Sequence, residues 1–313
     1  MSLENQTVIH EFILLAFSNI YTGRFLIFLF LLLIYLVTLV GNLLIIFAFY
    51  FNVHLHSPMY FFLGNFYFSE IVFTANITPN MLVIIFHGGV IISTNNCITQ
   101  YYIYWVSTFA ECLLLTVMSY DRYLAICSPL HYSSIMSQRH CLHLVVWSWL
   151  TSFLLPVIEG IWLSELPFCG YNIIDHFVCD LAPVLQLSCS DTSFLEMTDF
   201  ILSFPVFVFP IIFIIICYIR IISTILKIPS RTGRKKAFST CSSHLIVVCT
   251  YYGTLVFIYM TPSTDNSFTV KNVLSLVYIV VTPLINQFIY SLRSKEIRLA
   301  IVKLFSRFWE CEF

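Results

Sequence analysis

Charge is scarce in this chain. Asp, Glu, Lys and Arg make up 10% of its 313 residues, where a water-soluble globular protein uses about 25% because its surface must face water. Side chains that are 59% hydrophobic and 17% aromatic cannot supply that surface. A soluble domain is excluded. Glycine is also rare, at 9 residues, which removes a collagen-like chain, and 31 phenylalanines remove intrinsic disorder. Positive charge is not in excess: 15 Lys and Arg stand against 16 Asp and Glu, for a formal net charge of −1. Nucleic acid is therefore not a partner this composition favours. Eleven cysteines fall well short of a disulfide scaffold. What remains is a membrane protein.

What the chain has instead is long stretches without a single charge. Residues 25–53, 71–110, 140–158, 200–219, 237–264 and 272–292 contain no Asp, Glu, Lys or Arg. One such residue at a helix centre costs about 2.5–3.5 kcal/mol on insertion scales, and a span needs roughly 20 apolar residues. The 71–110 stretch is too long for one helix and holds His87-Gly88-Gly89, a turn signal. It divides into a helix over about 58–84, opening at Pro58, and another over about 95–122, which contains Glu111 and ends at Asp121-Arg122. The expected fold is an all-α membrane protein, a seven-transmembrane helix bundle in the lipid bilayer. Its expected organisation is an extracellular tail over 1–24, the bundle over 25–292 with a long outer loop at about 161–197, and a cytoplasmic tail over 293–313.

Orientation follows from the basic residues. With the N-terminus outside, the cytoplasmic segments hold Arg122, Arg139, Arg220, Lys227, Arg231, Arg234, Lys235, Lys236, Arg293, Lys295, Arg298, Lys303 and Arg307, and the outer side holds Arg24 and Lys271. Thirteen against two is a strong positive-inside bias. Met1–Ser18 shows no basic n-region or small-residue cleavage site, so the first helix is expected to act as its own insertion signal. Two features agree. Asn5-Gln6-Thr7 is a glycosylation acceptor in the tail, which is then luminal, whereas Asn76-Ile77-Thr78 lies inside a span and is read as a chance match. The 161–197 loop holds Glu165, Asp175, Asp180, Asp191 and Glu196 but no Lys or Arg.

Cys112, Cys127, Cys217 and Cys249 fall in spans, as small apolar residues. Cys97, Cys169, Cys179 and Cys189 lie at or beyond the outer boundary. Four cysteines allow three pairings, and sequence alone does not choose among them. A bridge from Cys97 would pin the outer loop over the mouth of the bundle.

Several motifs occur in order along these spans. The third ends in Met118–Tyr132, MSYDRYLAICSPLHY, around Asp121-Arg122-Tyr123. Gly41-Asn42 lies in the first, and Pro58-Met59-Tyr60-Phe61-Phe62-Leu63 opens the second. Lys236–His244, KAFSTCSSH, enters the sixth, and Pro283-Leu284-Ile285-Asn286 with Ile289-Tyr290-Ser291-Leu292-Arg293 closes the seventh. From about residue 5 to residue 305 the chain resembles the olfactory receptors, a branch of the rhodopsin-like G-protein-coupled receptors. That resemblance implies disulfides Cys97–Cys179 and Cys169–Cys189, a small volatile ligand inside the bundle, and an olfactory-type stimulatory heterotrimeric G protein at the inner face. It also implies residence in the plasma membrane of sensory cilia. One block departs from the family: Gln287 follows Asn286 where the pattern has proline. Pro283, one turn earlier, is expected to keep some kink.

The interior adds its own chemistry. Glu70 and Glu111 are the carboxylates read as lying well inside spans, and no Lys or Arg is expected at their depth. Either one of them holds a proton, or a cation such as Na⁺ sits between them with Ser119 or Asn286 helping; the resemblance favours the ion. Asp121-Arg122 at the inner end of the third helix is read as a latch, with Tyr123 beside it and Tyr218, Asn286 and Tyr290 as interior switch partners. The basic run Arg231–Lys236 supplies the adjoining inner surface.

For the ligand, missing groups are as telling. No aspartate is expected in the outer halves of the third, fifth, sixth and seventh helices, and the seventh has no mid-membrane lysine for retinal. The candidate wall is Tyr104, Trp105, Thr108 and Phe109; Leu202, Ser203 and Val206; Tyr252, Leu255 and Tyr259; and Ser275, Leu276 and Ile279. Such a wall suits a small, neutral, apolar odorant. His176-Phe177-Val178-Cys179-Asp180 could be read as a copper site, but only if Cys179 stays out of a disulfide. In the tail, Arg293, Lys295, Arg298 and Lys303 lie opposite Ile297, Ile301, Leu304 and Phe308, an amphipathic helix, with Cys311 a candidate for lipidation. Rival readings are a rhodopsin-like receptor for a non-odorant apolar metabolite, using the same residues, and a transporter, which would need repeated halves or broken helices. No nucleophile–base arrangement supports an enzyme.

Overall fold

The structure is a computed structural model and describes residues 9–16, 23–52, 55–260, 267–293 and 295–310. Among the described residues, seven helices are long and apolar enough to cross a membrane. In chain order the elements begin with β1 (Glu11–Leu14), α1 (Arg24–Phe51), α2 (Pro58–His87), β2 (Val90–Ser93), α3 (Thr94–Cys127), the short α4 (Pro129–Ile135) and α5 (Gln138–Glu165). The outer loop carries β3 (Ile173–Ile174) and α6 (Leu181–Leu185). Then come α7 (Ser193–Leu226) and α8 (Arg231–Met260). The seventh span is α9 (Ser267–Leu276), a π-helical turn (Val277–Val281) and α10 (Thr282–Arg293), and α11 (Lys295–Glu310) follows it.

These helices are inside-out relative to a soluble protein. Phe30, Leu33, Trp147, Phe209 and Phe257 are exposed, while Asn42, Glu70, Glu111, Ser119, Asp121 and Asn286 are buried. In lipid the apolar face needs no partner, so polar groups gather inside, where they can satisfy one another. α3 runs through the centre and packs against α2, α5, α7 and α8.

The helices overrun the charge-free stretches. α2 continues to His87 and ends on Gly88, whose positive φ of 89° lets its N–H close back on Ile84 O at 2.7 Å. That is the expected His87-Gly88-Gly89 turn, three residues later than 84. α3 does not stop at Asp121-Arg122 but continues to Cys127. The two charges neutralise each other within the helix, so its last turn needs no break there.

Two expectations require correction. The bundle is accompanied by a three-stranded sheet, order β2-β1-β3, with β1 antiparallel to β2 and parallel to β3. Part of the expected extracellular tail is thus the central strand of a lid, with Phe12 and Leu14 fully buried. Glu70 and Glu111 are also not the only interior acids: Glu159, on α5, is 1% exposed. It lies one residue past the charge-free 140–158 stretch, and burial against α3 rather than lipid lets the helix carry it.

The seventh span holds the family departure. The π turn at Val277–Val281 precedes Pro283, so the irregularity in this helix spreads over more than a proline kink. Gln287 is buried against α1, where a Cβ on Gly41 would overlap its side-chain amide. Glycine at 41 is what lets this chain seat glutamine at 287. Overpacking of this kind costs about 1–3 kcal/mol. Gly41→Ala should lower the amount of folded receptor, and adding Gln287→Ala should restore it; antibody staining of intact cells reads both. No recovery in the double variant would show that Gly41 matters for another reason.

α11 lies along α1 with Ile297 and Leu304 buried and Arg298 exposed, and the Tyr60 hydroxyl donates to Glu296 Oε2. This is the amphipathic tail helix. The side chains of Arg293, Lys295 and Phe308, and the residues Asn5 and Cys311, lie outside the described residues.

Candidate functional site

The outer end is built by the loop between α5 and α7. Cys97, at the top of α3, is bonded to Cys179, and Cys169 to Cys189. Gln100, one turn below Cys97, reinforces the first bridge. Its Oε1 accepts from the Cys179 N–H at 3.0 Å, while its backbone carbonyl accepts from Asn76 Nδ2 at 2.9 Å. Asn76 is therefore a helix-packing residue, in keeping with a chance match to a glycan acceptor. The copper reading loses its donors: Cys179 is in a disulfide, and His176 engages Val178 N through Nδ1 and Ser275 Oγ through Nε2. Among the described residues no group of three or more His, Cys, Asp or Glu is placed to hold a metal.

Beneath this lid, α7, α8 and Trp105 of α3 line a partly open cavity of about 790 Å³. Of the thirteen candidate wall residues, Trp105, Ser203, Tyr252, Leu255 and Tyr259 line it. Phe109 stands just behind Trp105, with ring centroids 5.4 Å apart. Tyr104 pairs its hydroxyl with Tyr259, and Thr108 gives its carbonyl to the Tyr251 hydroxyl at 2.9 Å. Leu202 and Val206 lie on α7 outside the lining. Ser275 faces His176, Leu276 lines a smaller cavity of about 240 Å³ against α1, and Ile279 is buried in the π turn. Among the described residues, the seventh span adds nothing to this cavity's wall.

Sequence reasoning missed the other side of the cavity. Leu181 and Leu185 of α6 roof it, and Phe204, Phe207 and Ile211 complete the α7 face. More consequential is Asp199. α7 begins at Ser193, so Asp199 sits in its second turn and lines the cavity, accepting from Ser203 Oγ at 3.1 Å. The expectation that no aspartate stands in the outer half of the fifth helix is wrong. Reading the helix from residue 200, where charge disappears, cut off its first two turns.

Deeper in, both oxygens of Glu70 accept from amides: Oε2 from Asn42 Nδ2 at 3.1 Å and Oε1 from Asn286 Nδ2 at 2.8 Å. Glu111 Oε1, Asn42 Oδ1 and Asn286 Oδ1 are buried without a hydrogen-bond partner. Ser119 instead bonds back to Leu115 O within its own helix at 2.9 Å. The layer between cavity and Glu111 is tied across helices by tyrosines. Tyr251 donates to Thr108 O, and Tyr252 to Cys112 O at 3.3 Å.

At the inner end Arg122 pairs with Asp121 at 2.8 Å, and the Tyr132 hydroxyl on α4 donates to the other Asp121 oxygen at 2.7 Å. Burial, reinforced by the Asp121 charge, pushes the Tyr132 phenol well above its ordinary range, so it stays a donor. Tyr218 does not reach Arg122 here. Its hydroxyl meets His244 Nδ1 at 2.6 Å, with the rings stacked, and donates to Cys241 O. His244 was visible in the KAFSTCSSH block, but nothing in its spacing marked it as the clasp between α7 and α8. Tyr290 packs edge-on to Tyr67 with centroids 6.5 Å apart, and Tyr123 packs against the core.

Comparison with known proteins agrees with this architecture. The sequence pattern of the family described as olfactory receptor matches residues 31–307. Olfactory receptor 10A5 of Homo sapiens is 46% identical, covering 98% of this chain and 97% of its own length. Olfactory receptor 1468 of Rattus norvegicus is 42% identical over 97% of each. Olfactory receptor 11H4 of Homo sapiens is 45% identical over 94% of this chain and 91% of its own.

Proposed function

The chain belongs to the olfactory receptor family, and from that premise we propose how it works. It is an odorant receptor of the G-protein-coupled class and not an enzyme. Its ligand, a small volatile, lies in the cavity between α3, α7 and α8, against Trp105, Phe207, Tyr252, Leu255 and Tyr259. The observation that carries this reading is the Trp105 indole: it is 4% exposed, it lines the cavity, and its N–H has no partner. A buried donor left unpaired costs about 1–3 kcal/mol, which an odorant's carbonyl or hydroxyl oxygen would recover.

Binding biases a switch only through differential affinity for its two states. Tyr252 is the hinge-point: it touches the cavity and bonds to Cys112 O on α3. A ligand that shifts it loosens α8 from α3. His244 stands about two turns from Tyr252 toward the inner end of α8, so tilting α8 releases Tyr218 and frees Arg122 from Asp121 to meet a heterotrimeric stimulatory G protein, with Arg231–Lys236 beside it. Asn286 and Tyr290 repack in the same movement. The receptor is a multi-pass plasma-membrane protein, and sensory cilia are its proposed site, with Asn5 carrying a glycan.

We propose further that Na⁺ is held by Glu70 and Glu111. The unpaired acceptor oxygens around Glu111, Asn42 and Asn286 suit a hard cation with oxygen ligands. When bound, such an ion supplies the positive charge these carboxylates otherwise lack. Replacing external sodium with a large organic cation should alter the odorant response of the native receptor but not of Glu111→Gln. A Glu111→Gln receptor that keeps its sodium dependence would leave a shared proton as the account of the pair.

The central test is a cAMP assay in cells coexpressing an olfactory-type stimulatory G protein, screened with mixed volatiles. A saturable response is expected. Silence to every volatile, with receptor stained at the cell surface, would sink the reading.

A further inference from the structure

The cavity wall has one feature that a pocket for uncharged volatiles does not need. Asp199 lines it from the second turn of α7, with Ser203 one turn on as its hydrogen-bond donor. Glu159 on α5 lies within reach of its charge. Glu159 is 1% exposed; one of its oxygens takes the Tyr101 hydroxyl at 2.5 Å, and the other, Oε1, has no partner. Among the described residues, neither carboxylate is in an ion pair with Lys, Arg or His. Glu159 stands six residues from the outer end of α5 and Asp199 six from the outer end of α7. At 1.5 Å per residue that is about 9 Å inside the helix ends, beneath the lid and not in open water.

Two like charges at that depth repel, and a buried carboxylate oxygen without a donor is costly. One cation placed at Asp199 relieves that repulsion, and the wall offers an apolar face for the rest of the ligand. Trp105 stands with ring centroids 5.8 Å from Tyr259 and 6.1 Å from Phe207, an aromatic cluster suited to a hydrocarbon body. The unpaired Trp105 N–H is an independent sign that the cavity is built for a polar ligand.

We propose that, beyond neutral volatiles, this receptor takes small volatile amines, their ammonium group held by Asp199 with Ser203 and their hydrocarbon body against Trp105, Phe207 and Tyr259. Where the amine also carries an ether oxygen, the Trp105 indole N–H donates to it. Glu159 acts from behind as a second negative charge, deepening the site's preference for a cation. The proposal rests on the odorant reading above and adds a ligand class to it.

The test compares matched pairs in the cAMP assay: hexylamine, cyclohexylamine and tetrahydrofurfurylamine against hexanol, cyclohexanol and tetrahydrofurfuryl alcohol, with receptor-free cells as the blank. The native receptor should respond to amines. Asp199→Asn keeps the shape and removes the charge, and should lower the amine-to-alcohol potency ratio about ten-fold or more, the scale of a lost charged hydrogen bond. Ser203→Ala should lower the same ratio by less. A ratio unmoved by Asp199→Asn, or alcohols that act while no amine does, overturns the proposal and leaves the odorant reading standing. Should Asp199→Asn not reach the surface, an unmoved ratio in Ser203→Ala overturns it instead. No response to any volatile overturns both.

Discussion

Cys179→Ser is expected to bring surface display and odorant response down to background. The bridge it breaks joins residues 82 apart, both buried, at the point where the outer loop meets α3. Closing a loop of that size removes roughly 4–5 kcal/mol of chain entropy from the unfolded state, comparable to the whole stability of a marginal domain. The loss also spreads. The Cys179 N–H bonded to Gln100 would be misplaced, and Leu181 and Leu185, which roof the cavity, follow directly in the chain. Cys169→Ser opens a separation of only 20 residues inside the loop itself, so its effect should be milder, about 3 kcal/mol in the same accounting. Staining of intact cells for each variant, normalised to total receptor, measures the ranking. Cys179→Ser at native surface level with native response would show that the sheet and α6 hold the lid without the bridge.

Arg122→Ala is expected to abolish odorant-driven cAMP while surface receptor stays near normal. Arg122 is 17% exposed, within reach of the cytoplasm, and held by Asp121. Removing a charge that docks a partner in a desolvated contact costs about 2–5 kcal/mol, or roughly 30- to 4000-fold in coupling. The opposite variant tells a latch from a structural pair. Asp121→Asn keeps an acceptor for the Tyr132 hydroxyl but drops the charge that restrains Arg122. Unstimulated cAMP should rise in Asp121→Asn and fall in Arg122→Ala. If both variants simply lose surface receptor, the pair is structural.

Much of this molecule could be read from where charge is missing. Each stretch without Asp, Glu, Lys or Arg lies in a span, the longest being shared between α2 and α3, because lipid tolerates little else, and the basic residues set the direction. The same criterion failed at its edges. Glu159 and Asp199 each stand one residue beyond a charge-free stretch. The criterion passes over both, because a carboxylate facing the bundle interior escapes the cost that defines the stretches. Half of the cavity wall was likewise out of reach. Whether Phe207 or Val206 faces inward is a question of helix rotation, and the apolar residues of α7 run all round it. The lid strands were invisible for another reason. Four residues such as Glu11–Leu14 are too short for a telling alternation, and their partners lie far away in the chain.

That distance has a consequence for how the receptor is made. β1 leaves the ribosome first, yet one partner, β3 at Ile173–Ile174, emerges only after four further spans have been threaded. At ordinary synthesis rates of about 5–20 residues per second, the central strand waits roughly ten seconds or longer with one edge unsatisfied. Through that interval the strand presents unpaired N–H and C=O groups along one edge, a template for wrong partners. Completion of the lid is therefore a late event, possible only once four spans and the first part of the outer loop have been made.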